Sequence, residues 1–292
     1  MKPLLLIRGG GIPNRARWGR GVRGRGDAAF TMVEIALCIA VVAFALVAIL
    51  GVMPTGLQVQ KDNREDTIIN QDGAFWLETL RSGAKGMDEL TNYVDRITVK
   101  RTNEVGAILR ADFVFGNGAK IGATNTFTNG LQVVGLLSLP KYELERLHGR
   151  LSWVTNSVVA YVRAFSGSAA DKPDGARTRA TKDVAFGYRL TSEIVPYNPL
   201  SRALTNYTLA RPGTVDRTNR YELWRRAVNM EGNFHEIRLT MDWPLYTSAE
   251  GISVGGRHKV IATLASGSMS RTNVPNLGWL YWIEPSVFVQ AQ

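Results

Sequence analysis

From Phe30 to Met53 the chain reads FTMVEIALCIAVVAFALVAILGVM, apolar throughout apart from Thr31 and Glu34. As a helix this stretch would measure about 36 Å at about 1.5 Å per residue. A bilayer core is about 30 Å thick. Residues 30–53 are therefore predicted to form a transmembrane helix. The tract before it holds Lys2, Arg8, Arg15, Arg17, Arg20, Arg23 and Arg25 against Asp27 alone, so six of the chain's ten net positive charges lie there. The positive-inside bias then puts the N-terminus in the cytoplasm and the rest of the chain beyond the membrane. With the excess so concentrated, the charge does not read as a nucleic-acid surface, and nucleic acid is not an expected partner.

Three ordinary readings of the apolar run compete. A secretory signal has an apolar core of roughly 7–15 residues followed by a small-residue cleavage site; this run is longer and no such site stands out before Pro54. A lipoprotein signal ending at Cys38 would want a small residue where Leu37 stands. A plain signal anchor accounts for length and charge but not for Glu34. A carboxylate at membrane depth costs about 2.5–3.5 kcal/mol near a helix centre and less toward an end. No Lys or Arg lies within the run to pair with it. A cut just before Phe30 would create an α-amino cation four residues from Glu34. In a packed assembly one subunit's amine could then meet a neighbour's Glu34 and fix the helix stagger.

Ala28-Ala29-Phe30-Thr31-Met32-Val33-Glu34-Ile35, set between a basic leader and a spanning segment, resembles the processing site of type IV prepilins and type II secretion pseudopilins. The resemblance covers roughly residues 20–60, and Ala29 stands where the family usually has Gly. It implies cleavage between Ala29 and Phe30 by a prepilin peptidase, N-methylation of Phe30, and an assembly salt bridge made by Glu34. It also implies, as partners, other pilin or pseudopilin subunits, an inner-membrane assembly platform and membrane lipid. The expected location is single-pass in the inner membrane, with the C-terminal part periplasmic or extracellular and filamentous after assembly.

Pro54 lacks a backbone donor and is expected to kink the helix. Beyond it, Ile68, Phe75, Trp76 and Leu80 recur at near-helical spacing, predicting an amphipathic continuation over 54–94 with Met87, Leu90 and Val94 in a last short helical stretch. Lys61, Asp62, Arg64, Glu65 and Asp66 read as a solvated face rather than a metal site. The period then shifts to two. Ile97 and Val99, then Leu109 to Phe115, Val184 to Leu190, and Ile237, Leu239, Met241 and Trp243 each alternate with polar neighbours, as half-buried strands do. Leu131–Leu139, continuously apolar, is expected as a buried strand, and Pro140–Leu147 as a short helix with Pro in its first turn. Long loops are expected at 166–182 and 196–219. The fold class is α+β: a basic leader (1–29), a transmembrane helix (30–53), its continuation (54–94) and a mainly antiparallel β-rich head (95–292). At 45% hydrophobic and 21% charged, the composition excludes wholesale disorder.

Residues that could carry chemistry are sparse. Cys38 is the sole cysteine, which excludes an intrachain disulfide or a cysteine zinc site. His148, His235 and His258 show no ligand spacing. His235 falls on the apolar parity of its strand and reads as structural, and His148 as a turn residue. Gly116-Asn117-Gly118 with Gly122 has the wrong spacing for a phosphate loop. Ser166-Gly167-Ser168 lacks a matched acid–base partner. The tryptophans read as core or subunit contacts. Lys172, Arg177, Arg179 and Lys182 would be the place for DNA contact, were there any. No enzyme activity, cofactor or metal is expected. The leading expectation is a minor or specialised filament subunit; the alternative is a single-span anchored enzyme or binding protein.

Overall fold

The alternation over Ile237–Trp243 puts every second side chain on one sheet face, where Ile237, Leu239, Met241 and Trp243 are buried. A computed structural model describes residues 30–83, 86–103, 106, 108–115, 125–147, 150–166, 186–197, 217–248 and 251–290. The elements are α1 (Met32–Ser82), α2 (Leu90–Tyr93), β1 (Val94–Asn103), β2 (Ile108–Phe115), β3 (Asn125–Phe127), α3 (Gly130–Leu137), β4 (Tyr142–Leu147), β5 (Arg150–Arg163), β6 (Gly187–Pro196), α4 (Arg217–Asn233), β7 (Phe234–Ser248), β8 (Gly251–Ser266), β9 (Ser268–Val274) and β10 (Gly278–Glu284). The chain divides into two units after Val59. A long apolar helix followed by a mainly antiparallel sheet is an α+β arrangement.

In the first unit, every residue from Phe30 to Val59 is exposed. Glu34 is the one charged residue among them. Pro54 lies inside α1, which continues past it; without its N–H, the Leu50 carbonyl has no helical donor.

In the second unit, the main sheet runs β3-β2-β1-β5-β6-β7-β8, with β4 paired to β5. All its pairings are antiparallel except β2–β3. β9 and β10 form a separate hairpin. The later part of α1 covers one face through Ile68, Ile69, Trp76 and Leu80, all buried; of the residues whose spacing suggested a stripe, Ile68, Trp76 and Leu80 are buried and Phe75 is half-buried at the edge of the core. Contacts also match the helix to β8 in order. Arg257 reaches Asp62, Glu65 and Asp66; Lys259 donates to Asn70; a Cβ on Gly73 would meet Ile261. With rises of about 1.5 Å per residue on the helix and about 3.3 Å on the strand, this segment of α1 travels alongside β8 in the same direction. Gly83 ends α1 at φ +57, and a Cβ there would strike the Ile283 carbonyl. Only glycine suits such a left-handed, crowded terminus.

Two assignments require correction. The run expected as a strand, Leu131–Leu139, is largely the helix α3. Asn129 caps it, its side chain accepting from Gln132 N at 2.9 Å, and Gln132 Oε1 accepts from Thr128 N at 2.7 Å. The helix is apolar around most of its circumference because it is enclosed: Val133, Val134, Leu136 and Leu137 are buried, and Gly135 lies against Leu280 and Trp282. A fully enclosed segment has no polar face, so periodicity does not separate helix from strand there. The expected helix Pro140–Leu147 is instead the strand β4. Its alternation is inverted, with Tyr142 and Leu144 exposed and Glu143 and Glu145 turned toward Arg101. Of the long loop expected at 196–219, residues 198–216 lie outside the described residues, and α4 begins at Arg217.

Candidate functional site

The leader and Ala29 lie outside the described residues. Phe30, the first described residue, is 73% exposed and stands two positions before the start of α1. Thr31 caps that helix: its hydroxyl oxygen accepts from Glu34 N at 3.3 Å, and its carbonyl accepts from Ile35 N at 3.1 Å. Thr31-Met32-Val33-Glu34 has the spacing of a capping box, a helix-start signal readable in the sequence. The Glu34 side chain has no hydrogen-bond or ion-pair partner among the described residues, and it sits at the end of the helix whose dipole favours an anion. Cys38 is exposed on the same helix. By length and composition α1 could cross a membrane as an anchor; a signal sequence meets the same test.

The acidic group Asp62, Glu65 and Asp66, expected as a solvated face, is partly a clamp. Arg257 donates to Asp62 at 2.9 Å, to Glu65 at 3.2 Å and to Asp66 at 3.0 Å. Glu65 is buried, and the same guanidinium lies 5.4 Å from the centre of the Trp243 ring. The three carboxylates thus surround a cation supplied by the chain itself. No group of residues that could hold a metal ion occurs among the described residues.

Ser166 takes part in a buried network. Its backbone N–H, its hydroxyl and the Phe165 N–H all donate to Asp72. Tyr188 donates to the same carboxylate and accepts from Trp76 Nε1 at 2.9 Å. Burial pushes the Asp72 carboxyl above its usual range, against the pull of these donors. Burial and the neighbouring carboxylate likewise hold Tyr188 protonated. His235 is buried, and neither ring nitrogen makes a well-aligned hydrogen bond among the described residues. Burial lowers its basicity, with the Gly267 backbone opposing. His258 is exposed, opposite Asp242. His148, Gly116-Asn117-Gly118, Gly122, Gly167, Ser168 and the basic stretch 172–182 lie outside the described residues.

A recess that the sequence did not disclose is a cleft of about 290 Å³ in the second unit. β1 and β2 contribute Val99, Ala111 and Phe113 to its floor, and Leu136 and Leu139 close it from α3 and the turn after it. Leu109, Asn276 and Trp279 stand at its rim. One wall is polar and saturated. Arg101 donates to Glu143 at 3.1 Å, to Glu145 at 2.9 Å and to Asn156 at 3.2 Å. Asn156 donates to the Pro140 carbonyl at 2.9 Å, and the Tyr281 hydroxyl donates to Glu143. Burial, reinforced by Glu143, pushes Tyr281 up to about 12. Arg271 lies 3.9 Å from Glu143 and 4.7 Å above the Trp279 ring. With its oxygens already occupied by donors, Glu143 serves to fix the wall, which ties β1, β4, β5 and the hairpin together. What remains accessible is an apolar recess with an aromatic lip. Trp279, with aromatic residues alternating along β10, was the available sequence signal. No family model, no characterised protein and no solved structure matches this chain.

Proposed function

We propose that the chain is a non-enzymatic assembly subunit of the kind formed by type IV pilins and type II secretion pseudopilins. A prepilin peptidase cuts between Ala29 and Phe30, Phe30 is N-methylated, and the mature helix rests in the inner membrane before entering a filament. The observation that carries this reading is Glu34: an exposed, unpaired carboxylate that is the sole charge between Phe30 and Val59. Isolated in lipid it is costly. Paired with the new amine of a neighbouring subunit it sets one stagger, and repeated head-to-tail contacts of that kind build an open filament. Thr31 starts the helix at the right place to hold Glu34 in its first turn. The apolar, exposed residues up to Val59 fit lipid before assembly and neighbouring helices after it.

The test is mass spectrometry of the chain expressed beside an active prepilin peptidase. An N-terminus at N-methyl-Phe30 is expected. An intact leader under those conditions refutes the proposal and leaves a tethered enzyme or binding protein.

A further inference from the structure

We infer that the cleft receives Phe288 of a second copy of this chain, a head-to-tail contact between β-rich units. The inference deepens the assembly reading and rests on it for its filament context, but its chemistry does not depend on removal of the leader.

Phe288 is 57% exposed, between Val287 and Val289, which are also exposed. Such a cluster on a folded unit marks a contact surface. The backbone on both sides of Phe288 is pinned. Ser268 N donates to the Val287 carbonyl at 2.7 Å. The buried Asn233 brackets Val289, accepting from its N–H at 2.7 Å and donating to its carbonyl at 2.6 Å. An aromatic side chain presented on fixed backbone loses little freedom when it docks.

The cleft matches this knob in size and polarity. At about 290 Å³ it lies at the small end of ligand sites, which run from about 300 to 1,000 Å³, and suits one large side chain. Its floor is aliphatic and aromatic, and Trp279, 39% exposed, offers a ring edge or face to an incoming ring. Side chains of opposite sign flank the two surfaces, each with a partner in its own chain. Arg110 and Arg271, each more than half exposed, stand by the cleft, Arg110 sharing its guanidinium with Asp112. Glu284 precedes the knob, and Glu231 adjoins Gly232, beside Val289.

Placement decides the kind of assembly. The cleft is lined by the turn of the β9–β10 hairpin, at Asn276–Gly278, whereas Phe288 is anchored at its base, beside Ser268. These ends are about 20 Å apart at about 3.3 Å per residue. A chain therefore cannot fill its own cleft, and one that fills a neighbour's leaves its own open for the next. A contact between different surfaces extends without closing unless its rotation makes a ring.

The test uses the full chain in detergent with Cys38→Ser, Leu109→Cys and Gln290→Cys, which leaves Phe288 in place. Mild oxidation should give a disulfide ladder of dimers, trimers and higher species, and neither single-cysteine chain should pass dimer. Adding Phe288→Asp, a change at an exposed site, should cut ladder yield about tenfold, as loss of an aromatic anchor does, with circular dichroism and melting unchanged. Absence of species above dimer overturns the inference, as does a ladder indifferent to Phe288→Asp. A chain that fails to ladder yet carries N-methyl-Phe30 in cells would fail this inference alone.

Discussion

Asp72 and Tyr188 meet in the interior of the β-rich unit as a carboxylate and the phenol that donates to it, with no cationic side chain among the described residues bonded to the carboxylate. Because the Asp72 carboxyl is raised above its usual 3.8, the folded state holds a proton that the unfolded state has already released. Stability linked to Asp72 is therefore fully present below about that pH and falls as pH rises toward the folded value. Melting of wild type and Asp72→Asn across a pH series should show the wild type losing ground to the variant from about pH 4 upward. A constant difference would contradict the assignment.

His235 has the opposite dependence. Its folded basicity lies below the usual 6.5, so its neutral form is the one accommodated by the fold. As pH falls below about 6.5 the unfolded state gains a proton that the folded state resists, and stability declines. His235→Leu should flatten that decline while leaving melting near pH 8 within a few degrees of wild type.

Arg257→Met should destabilise the β-rich unit by about 1–3 kcal/mol, because the buried Glu65 loses its close cation and keeps only the more distant Lys61 at 3.8 Å. Adding Glu65→Gln should return part of the loss. Urea unfolding followed by tryptophan fluorescence gives both values, and additivity of the two changes would show that the residues are not coupled.

Gly135→Ala sets two effects against each other. Helix propensity favours Ala by about 1 kcal/mol. A Cβ at that position, however, would lie 2.8 Å from Trp282 and 2.9 Å from Leu280 Cβ. Overpacking of this kind costs about 1–3 kcal/mol, so the net change should be a loss, read in the same urea experiment.

Glu34→Leu and Thr31→Ala separate charge from capping at the start of α1. Glu34→Leu should insert normally and fail to enter assemblies, whereas Thr31→Ala loses a cap worth about 0.5–2 kcal/mol and still assembles. Fractionation of sheared filaments from cells reads both. Incorporation of Glu34→Leu at the wild-type level would remove the role given to the carboxylate.

The features legible in the sequence are those whose partners are local or whose environment has two different sides. The apolar run of α1 and the alternation through Ile237, Leu239, Met241 and Trp243 both declare their surroundings within a few residues. α3 does not, since an enclosed helix and an enclosed strand are equally apolar. β4 was obscured by the reversal of its faces, Glu143 and Glu145 turning inward to meet Arg101. α4 was passed over because Arg217–Asn233 is largely polar and has no strong apolar stripe. The acid clamp depends on a residue 195 positions from Asp62, and the cleft gathers its walls from segments spread between Val99 and Tyr281; no local pattern records either.

The ordered pairing of α1 with β8 has a mechanical consequence. Because Asp62 to Gly73 and Arg257 to Ile261 run in the same direction, tension along the helix axis shears their contacts together and does not peel them one by one. Under pull, detachment is governed by the rate of crossing a barrier to which all of these contacts contribute, more than by equilibrium stability. The grip of β8 on the helix thus resists a pull along the helix axis as one unit.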